Sequence, residues 1–284
     1  MFIQLIISGI LLGGIYALIS VGLSLIFGVS KVTNFAHGDF VMVGMYLAYA
    51  IYTAFNISPY VSWLIVIPVS AVIGWLFFKL IKYTIGKSDL NQIFLTLGLS
   101  FVLQNTVLMI FKSDFRSVPQ SFDSSLKIGS FFLSYEMLIA FLIAIATTFA
   151  FLWFINHTYL GKAMKAVSQD RDAAKLMGIP TKKIDIMVFA LGIAMAGLAG
   201  TLLITIYPTN PTIGSGLNLI AWIIVVLGGL GQLGGALLGA LLIGVSETLS
   251  GFYIGADYRQ VVYYIMFIIV LVVRPQGLFT RKGN

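Results

Sequence analysis

Asn34, His37 and Asp39 stand within one short polar stretch, Val32-Thr33-Asn34-Phe35-Ala36-His37-Gly38-Asp39, between the apolar runs 2–27 and 40–55. An imidazole two residues from a carboxylate could move protons. The same groups could contact a solute, or bond the amides and carbonyls freed where a helix breaks inside a membrane. A second stretch, 158–185, offers mechanical rather than acid–base chemistry. Gly161-Lys162-Ala163-Met164-Lys165-Ala166-Val167 has helix-forming composition, and Asp170 can cap a second short helix over 171–177 that Gly178 and Pro180 end. Inside it lies Asp172-Ala173-Ala174 with Gly178 four residues on. The acid near the helix start suits the dipole, Gly178 permits a left-handed exit, and adjacent alanines leave a shallow face for another protein's groove. As pure structure this is a capped amphipathic helix.

Other chemistries are excluded. Gly86-Lys87-Ser88 ends like a phosphate-binding loop, but Ile81 stands where the first glycine is required. Two histidines on different segments, with no cysteine and no His-x-x-x-His, provide no metal site and no nucleophile with its base. No metal or other cofactor is therefore expected in this chain.

The elements that hold these groups follow from composition. The chain has 284 residues, 59% hydrophobic and 10% charged, with a mean hydropathy of +1.01. Soluble domains run about 45–50% apolar and about 25% charged. The apolar residues form nine segments, 2–27, 40–55, 60–78, 91–111, 135–155, 186–207, 218–230, 236–250 and 260–273, several long enough for a span of roughly 20 residues. The expected fold is all-α: one polytopic helical domain over 1–284, with eight or nine spans and two Gly-broken helices. The second break is Gly228-Gly229-Leu230-Gly231-Gln232-Leu233-Gly234-Gly235, so Gly231, Gly234 and Gly235 join Asn34, His37, Gly38 and Asp39 as candidates for a solute path. The glycines equally permit close helix packing, as does Gly192-xxx-Ala196-xxx-Gly200.

Basic residues orient the bundle. Twelve of the 17 lie in three groups: Lys79, Lys82 and Lys87; Lys162, Lys165, Arg171, Lys175, Lys182 and Lys183; and Arg274, Arg281 and Lys282. Nine segments with the N-terminus outside and the C-terminus inside put all three in the cytoplasm, making 158–185 a cytoplasmic loop and 112–134 an extracytoplasmic one. The net charge of +7 then belongs to loops rather than to a nucleic-acid surface. Gln104 and Asn105 within 91–111 are expected to bond between helices, and Glu247 to face water or Arg259.

These residues resemble a family. Acid-Ala-Ala-xxx-Gly at 172–178 is similar to the coupling loop of binding-protein-dependent ABC permeases, although the Ile-x-Leu-Pro tail of the wider motif is missing after Gly178. Gly22-Leu23-Ser24-Leu25-Ile26-Phe27-Gly28-Val29, Asn34-Phe35-Ala36-His37-Gly38-Asp39-Phe40, the glycine run at 228–235 and Arg274-Pro275-Gln276-Gly277-Leu278-Phe279 resemble the branched-chain amino acid ABC transporter permeases. The resemblance implies a transport subunit of the bacterial cytoplasmic membrane rather than an enzyme. It implies two cytoplasmic ATPases that hold the ATP, a second homologous permease in a heterodimer, and an extracytoplasmic binding protein. Lys162, Asp172, Ala173, Ala174 and Gly178 would meet the ATPases. The cargo would be a branched-chain or other apolar amino acid. With no carboxylate-clamping arginine inside a span, selectivity falls to the binding protein. A urea or short-amide permease and a proton-coupled carrier using His37, Asp39 or Glu247 are the alternatives.

Overall fold

The computed structural model describes residues 2–85, 88–119, 125–128, 131–255, 258–274 and 276–279. Gly86, Lys87, Pro275, Arg281 and Lys282 lie outside these. Eleven α-helices are described: α1 (Phe2–Ser30), α2 (His37–Phe55), α3 (Pro59–Ile81), α4 (Asp89–Phe111), α5 (Tyr135–His157), α6 (Tyr159–Gln169), α7 (Arg171–Leu176), α8 (Thr181–Leu203), α9 (Ile213–Gly228), α10 (Leu233–Tyr253) and α11 (Arg259–Val273). Seven are long and apolar enough to cross a bilayer, while α9 and α11, at 16 and 15 residues, are shorter. All nine apolar segments are helices, and the two short ones expected in 158–185 are α6 and α7.

α1 forms the axis of the bundle. It is apolar on every face, as a helix surrounded by others must be, and is buried almost throughout from Leu11 to Ser30. Backbones approach closely around it because small residues face one another: Gly13 lies against Ala240 and Gly244 of α10, and Gly22 against Gly192 of α8. With lipid as apolar as leucine, such close packing rather than hydrophobic exclusion holds helices together. Farther along α8, Gly200 meets the backbone of Val41 in α2, so the Gly192, Ala196, Gly200 stripe is a packing face. On the periphery, α3 and α4 turn Leu64, Phe94 and Phe101 outward, as a lipid-facing surface requires.

Three features depart from the sequence expectation. The first break is shorter than expected, because helix α2 already begins at His37; His37, Gly38 and Asp39 are its first turn. The second break likewise ends at Gln232, leaving Gly234 and Gly235 in the first turn of α10. The third is a two-stranded antiparallel hairpin in the loop 112–134, β1 (Ser125–Ile128) pairing β2 (Phe131–Ser134), in an otherwise helical chain. That loop is also tied back by a bridge between Arg116 and Thr209.

Candidate functional site: an exposed knob tied to a helix junction

The segment after α5 is built by its caps. Thr158 accepts from the Gly161 amide at 3.1 Å to start α6, which buries Ala163, Met164 and Val167 on one face and exposes Lys162 on the other. Asp170 Oδ1 accepts from the amides of Asp172 and Ala173, both at 2.9 Å, and so starts α7. The Ile179 amide reaches back to the Ala174 carbonyl at 3.0 Å around Gly178, whose φ of +80° is the left-handed exit the sequence called for. On the exposed side of α7, Lys175 donates to Asp172 at 2.8 Å. This hydrogen bond and the lysine's charge hold the Asp172 carboxyl below the usual aspartate range.

The two alanines do not form one face. Ala174 is buried against the bundle and Ala173 is exposed. What projects instead is the pair Leu176 and Met177, 89% and 82% exposed at the tip of α7. Large apolar side chains held out on a short capped helix make a knob for an apolar groove. The root of the knob is anchored. Arg171 pairs with Asp185 near the start of α8, and Asp185, 1% exposed, also accepts from the Ser30 hydroxyl at the end of α1 at 2.8 Å. Sequence reasoning missed this link; an acid between the apolar residues Ile184 and Ile186 was its one available signal.

Beyond Ser30 the chain turns back into the bundle. Lys31 takes a φ of 53°, the Asn34 side chain accepts from the Ala36 amide at 3.0 Å, and the Trp222 indole donates to the Asn34 carbonyl at 3.2 Å while stacking on Phe35. His37 Nε2 then donates to the Ile19 carbonyl at 3.0 Å; since a carbonyl only accepts, the proton sits on Nε2. Ile19 lies eleven residues before Ser30, about 16 Å along the helix at 1.5 Å per residue. α2 therefore starts deep inside the bundle.

α9 starts at the same depth. Gly38 lies on the backbone of Gly214 and Asn218, and its amide donates to Asn218 Oδ1 at 3.3 Å. Between the two helix starts sits Asp39, fully buried. Its Oδ1 accepts from Gln104 of α4 at 2.9 Å, and Gln104 also bonds Ser215 at 2.9 Å. Its Oδ2 is buried with no hydrogen-bond partner among the described residues. The positive ends of two helices suit an acid at this place. His37 faces α1 and Asp39 faces α4 and α9, so the two do not form a proton-sharing pair. Gln104 does bond between helices, as expected, whereas Asn105 bonds the Phe101 carbonyl in its own helix.

The family described as the branched-chain amino acid transport system permease component matches residues 5–271. The chain belongs to this family. It is 32% identical to the high-affinity branched-chain amino acid transport permease LivH of Salmonella typhimurium over 295 residues, covering 99% of this chain and 96% of that one. It is 29% identical to the corresponding permease BraD of Pseudomonas aeruginosa, with the same coverage, and 24% identical to the permease LivM of Escherichia coli, covering 93% and 67%. No solved structure matches. The chain is thus a multi-pass membrane protein, a transport permease subunit.

In the permease the second glycine break differs from the first. Gly228 and Gly235 lie backbone on backbone, and Gly231, at φ +78°, lies on Gly28 in the last turns of α1. This is a tight turn at the end of the bundle that carries α6, not a second junction at the depth of Gly38. Gly231 and Gly234 border a cavity of about 390 Å³ that Asn156 and Lys165 share, between the turn and α6. Thus Gly38 and Asp39 belong to one place in the molecule, and Gly231, Gly234 and Gly235 to another.

Proposed function

We propose that this permease is the membrane subunit of an ABC importer for branched-chain or other apolar amino acids in the bacterial cytoplasmic membrane, with its N-terminus outside and C-terminus in the cytoplasm. It pairs with a second, homologous permease and receives cargo from an extracytoplasmic binding protein. Two cytoplasmic ATPases hold the ATP and grip α6 and α7 through Lys162, Asp172, Ala173, Leu176, Met177 and Gly178, while the buried Ala174 seats α7 on the bundle. Closure of the ATPases pulls the knob, and the bundle answers by moving between two packed states. The displacement reaches α8 and α1 through Asp185 and arrives at the junction of Asn34, His37, Gly38 and Asp39, while Gly231, Gly234 and Gly235 form the turn that moves with the end of α1. The observation carrying this reading is the exposed Leu176–Met177 knob joined by Arg171 and Asp185 to the end of α1.

Gly178 supplies the test. No atom lies within 4 Å of where its Cβ would stand, so Gly178→Val strains only the left-handed exit of α7. In proteoliposomes with both permeases, both ATPases and the binding protein, this variant should insert normally but lose ATP-driven leucine uptake. Unimpaired uptake would remove the docking role. Uptake that survived inactivation of the ATPases yet collapsed with a proton uncoupler would replace the importer by a proton-coupled carrier.

A further inference from the structure

Away from the junction, at the Phe2 end of α1, two opposite charges face the same space without touching each other. Glu247 of α10 and Arg259 at the start of α11 both line two cavities, of about 310 and 280 Å³, with Tyr207 between them. Glu247 Oε2 and Arg259 Nε are each buried and have no hydrogen-bond partner among the described residues. Tyr16 is hydrogen-bonded to Glu247, but one polar atom of each charged group stays without a partner, which is costly when buried, and ionisable groups inside a membrane protein mark solute pathways. The backbone keeps the arginine in place. Gly251 is one helical turn beyond Glu247 on the same face of α10, and a Cβ there would run into the guanidinium of Arg259. The absent side chain is the berth in which the guanidinium lies.

Around the charges the lining divides by chemistry. Tyr16, Tyr207 and Tyr263 surround Glu247, while Leu217 and Ile220 of α9 supply an apolar wall to the smaller cavity. Resting on the importer reading above, we propose that Glu247 and Arg259 form an outer-vestibule subsite for a zwitterionic amino acid. The ammonium is received by Glu247, the carboxylate by Arg259, and the apolar side chain lies on Leu217 and Ile220. A guanidinium fork matches a carboxylate bidentately, and a zwitterion meets both charges at once. The permease thereby selects cargo a second time after the binding protein, through an arginine at a helix start instead of one within a span.

The test uses the purified complex of both permeases and both ATPases. ATP-driven uptake of L-leucine with the binding protein checks the importer reading on its own. Equilibrium binding of labelled L-leucine to the complex without the binding protein checks the subsite. Leucine should bind, and Glu247→Gln and Arg259→Gln should each weaken it at least about tenfold, the loss of one charged hydrogen bond. Leucinamide, which lacks the carboxylate, and 4-methylpentanoate, which lacks the ammonium, should compete at least about tenfold less well than leucine. Gly251→Ala, which displaces the guanidinium without removing it, should weaken binding less than Arg259→Gln does, although Gly251 offers the ligand no side chain. Glu247→Asp and Arg259→Lys, which keep the charges, should retain part of the affinity and guard against a fold defect. Uptake of leucine by a complex that does not bind it, or wild-type affinity in both Gln variants, would overturn the proposal. So would competition by O-phosphoethanolamine equal to that of leucine, which would assign the pair to a lipid headgroup.

Discussion

Removing the charge from either end of the Arg171–Asp185 link should uncouple ATP hydrolysis from transport. The guanidinium and carboxylate make two contacts across the α7–α8 boundary, and Ser30 adds a third at 2.8 Å. Hydrogen bonds to charged groups contribute about 1.5–3 kcal/mol each. The arginine side chain is 29% exposed, so water takes part of that, and about 2 kcal/mol for the pair is reasonable. At about 1.36 kcal/mol per factor of ten, R171Q or D185N should each cut leucine transported per ATP hydrolysed by about 30-fold in proteoliposomes, with ATPase turnover retained. Because both remove the same link, the double variant should be no worse than the weaker single. D185N is nearly isosteric and leaves an acceptor for Ser30, so loss of charge is isolated from loss of packing. Multiplication of the two effects in the double variant, or an unchanged ratio in both singles, would refute the relay.

Gly38→Ala should cost about 1–3 kcal/mol by overpacking against Gly214 and Asn218, lowering the melting temperature by several degrees in a detergent thermal scan; an unmoved transition would mean the backbones are farther apart. Changing Leu176 and Met177 together to Asp should leave that transition in place, since both are exposed, while the ATPases fail to co-purify with the permease; retained ATPase would move the docking surface elsewhere. Asp172 is held low by Lys175, so the stabilising pair is present at neutral pH and is lost as pH falls through the depressed value. Lys175→Gln should raise the pH at which that carboxyl titrates, read by carbon NMR of labelled aspartate, and no rise would show that the pair does not form in solution.

Much of this was legible in the chain because one-dimensional signals govern it. Hydropathy alone marked the nine apolar helices, since each satisfies its own backbone within the bilayer. The caps of α7 were readable because Asp170 and Gly178 act on residues two to four positions away. The depth of the first junction was not readable: it depends on α2 folding back along α1 until His37 meets Ile19. The same limit separates Ala173 from Ala174, whose exposure differs through packing against neighbours distant in sequence. It also hid the unlike roles of the two glycine runs, one of which brings Gly228 onto Gly235 while the other lets Gly38 touch α9. Glu247 and Arg259 were visible as a pair, but that they stand apart across a shared cavity is a fact of three dimensions.

The way α4 is hung on the bundle has a mechanical consequence. Three of its four buried residues are polar and recur once per turn: Gln92, Thr96 and Ser100. Gln92 accepts from the Thr33 amide and Thr96 from that of Phe35, both at 3.1 Å, and Gln104 continues the series to Asp39. Its remaining surface turns outward with Phe94, Phe101 and Met109, for which a hydrocarbon environment provides no preferred height. Through these rungs any displacement of the polypeptide between α1 and α2 is passed directly to α4.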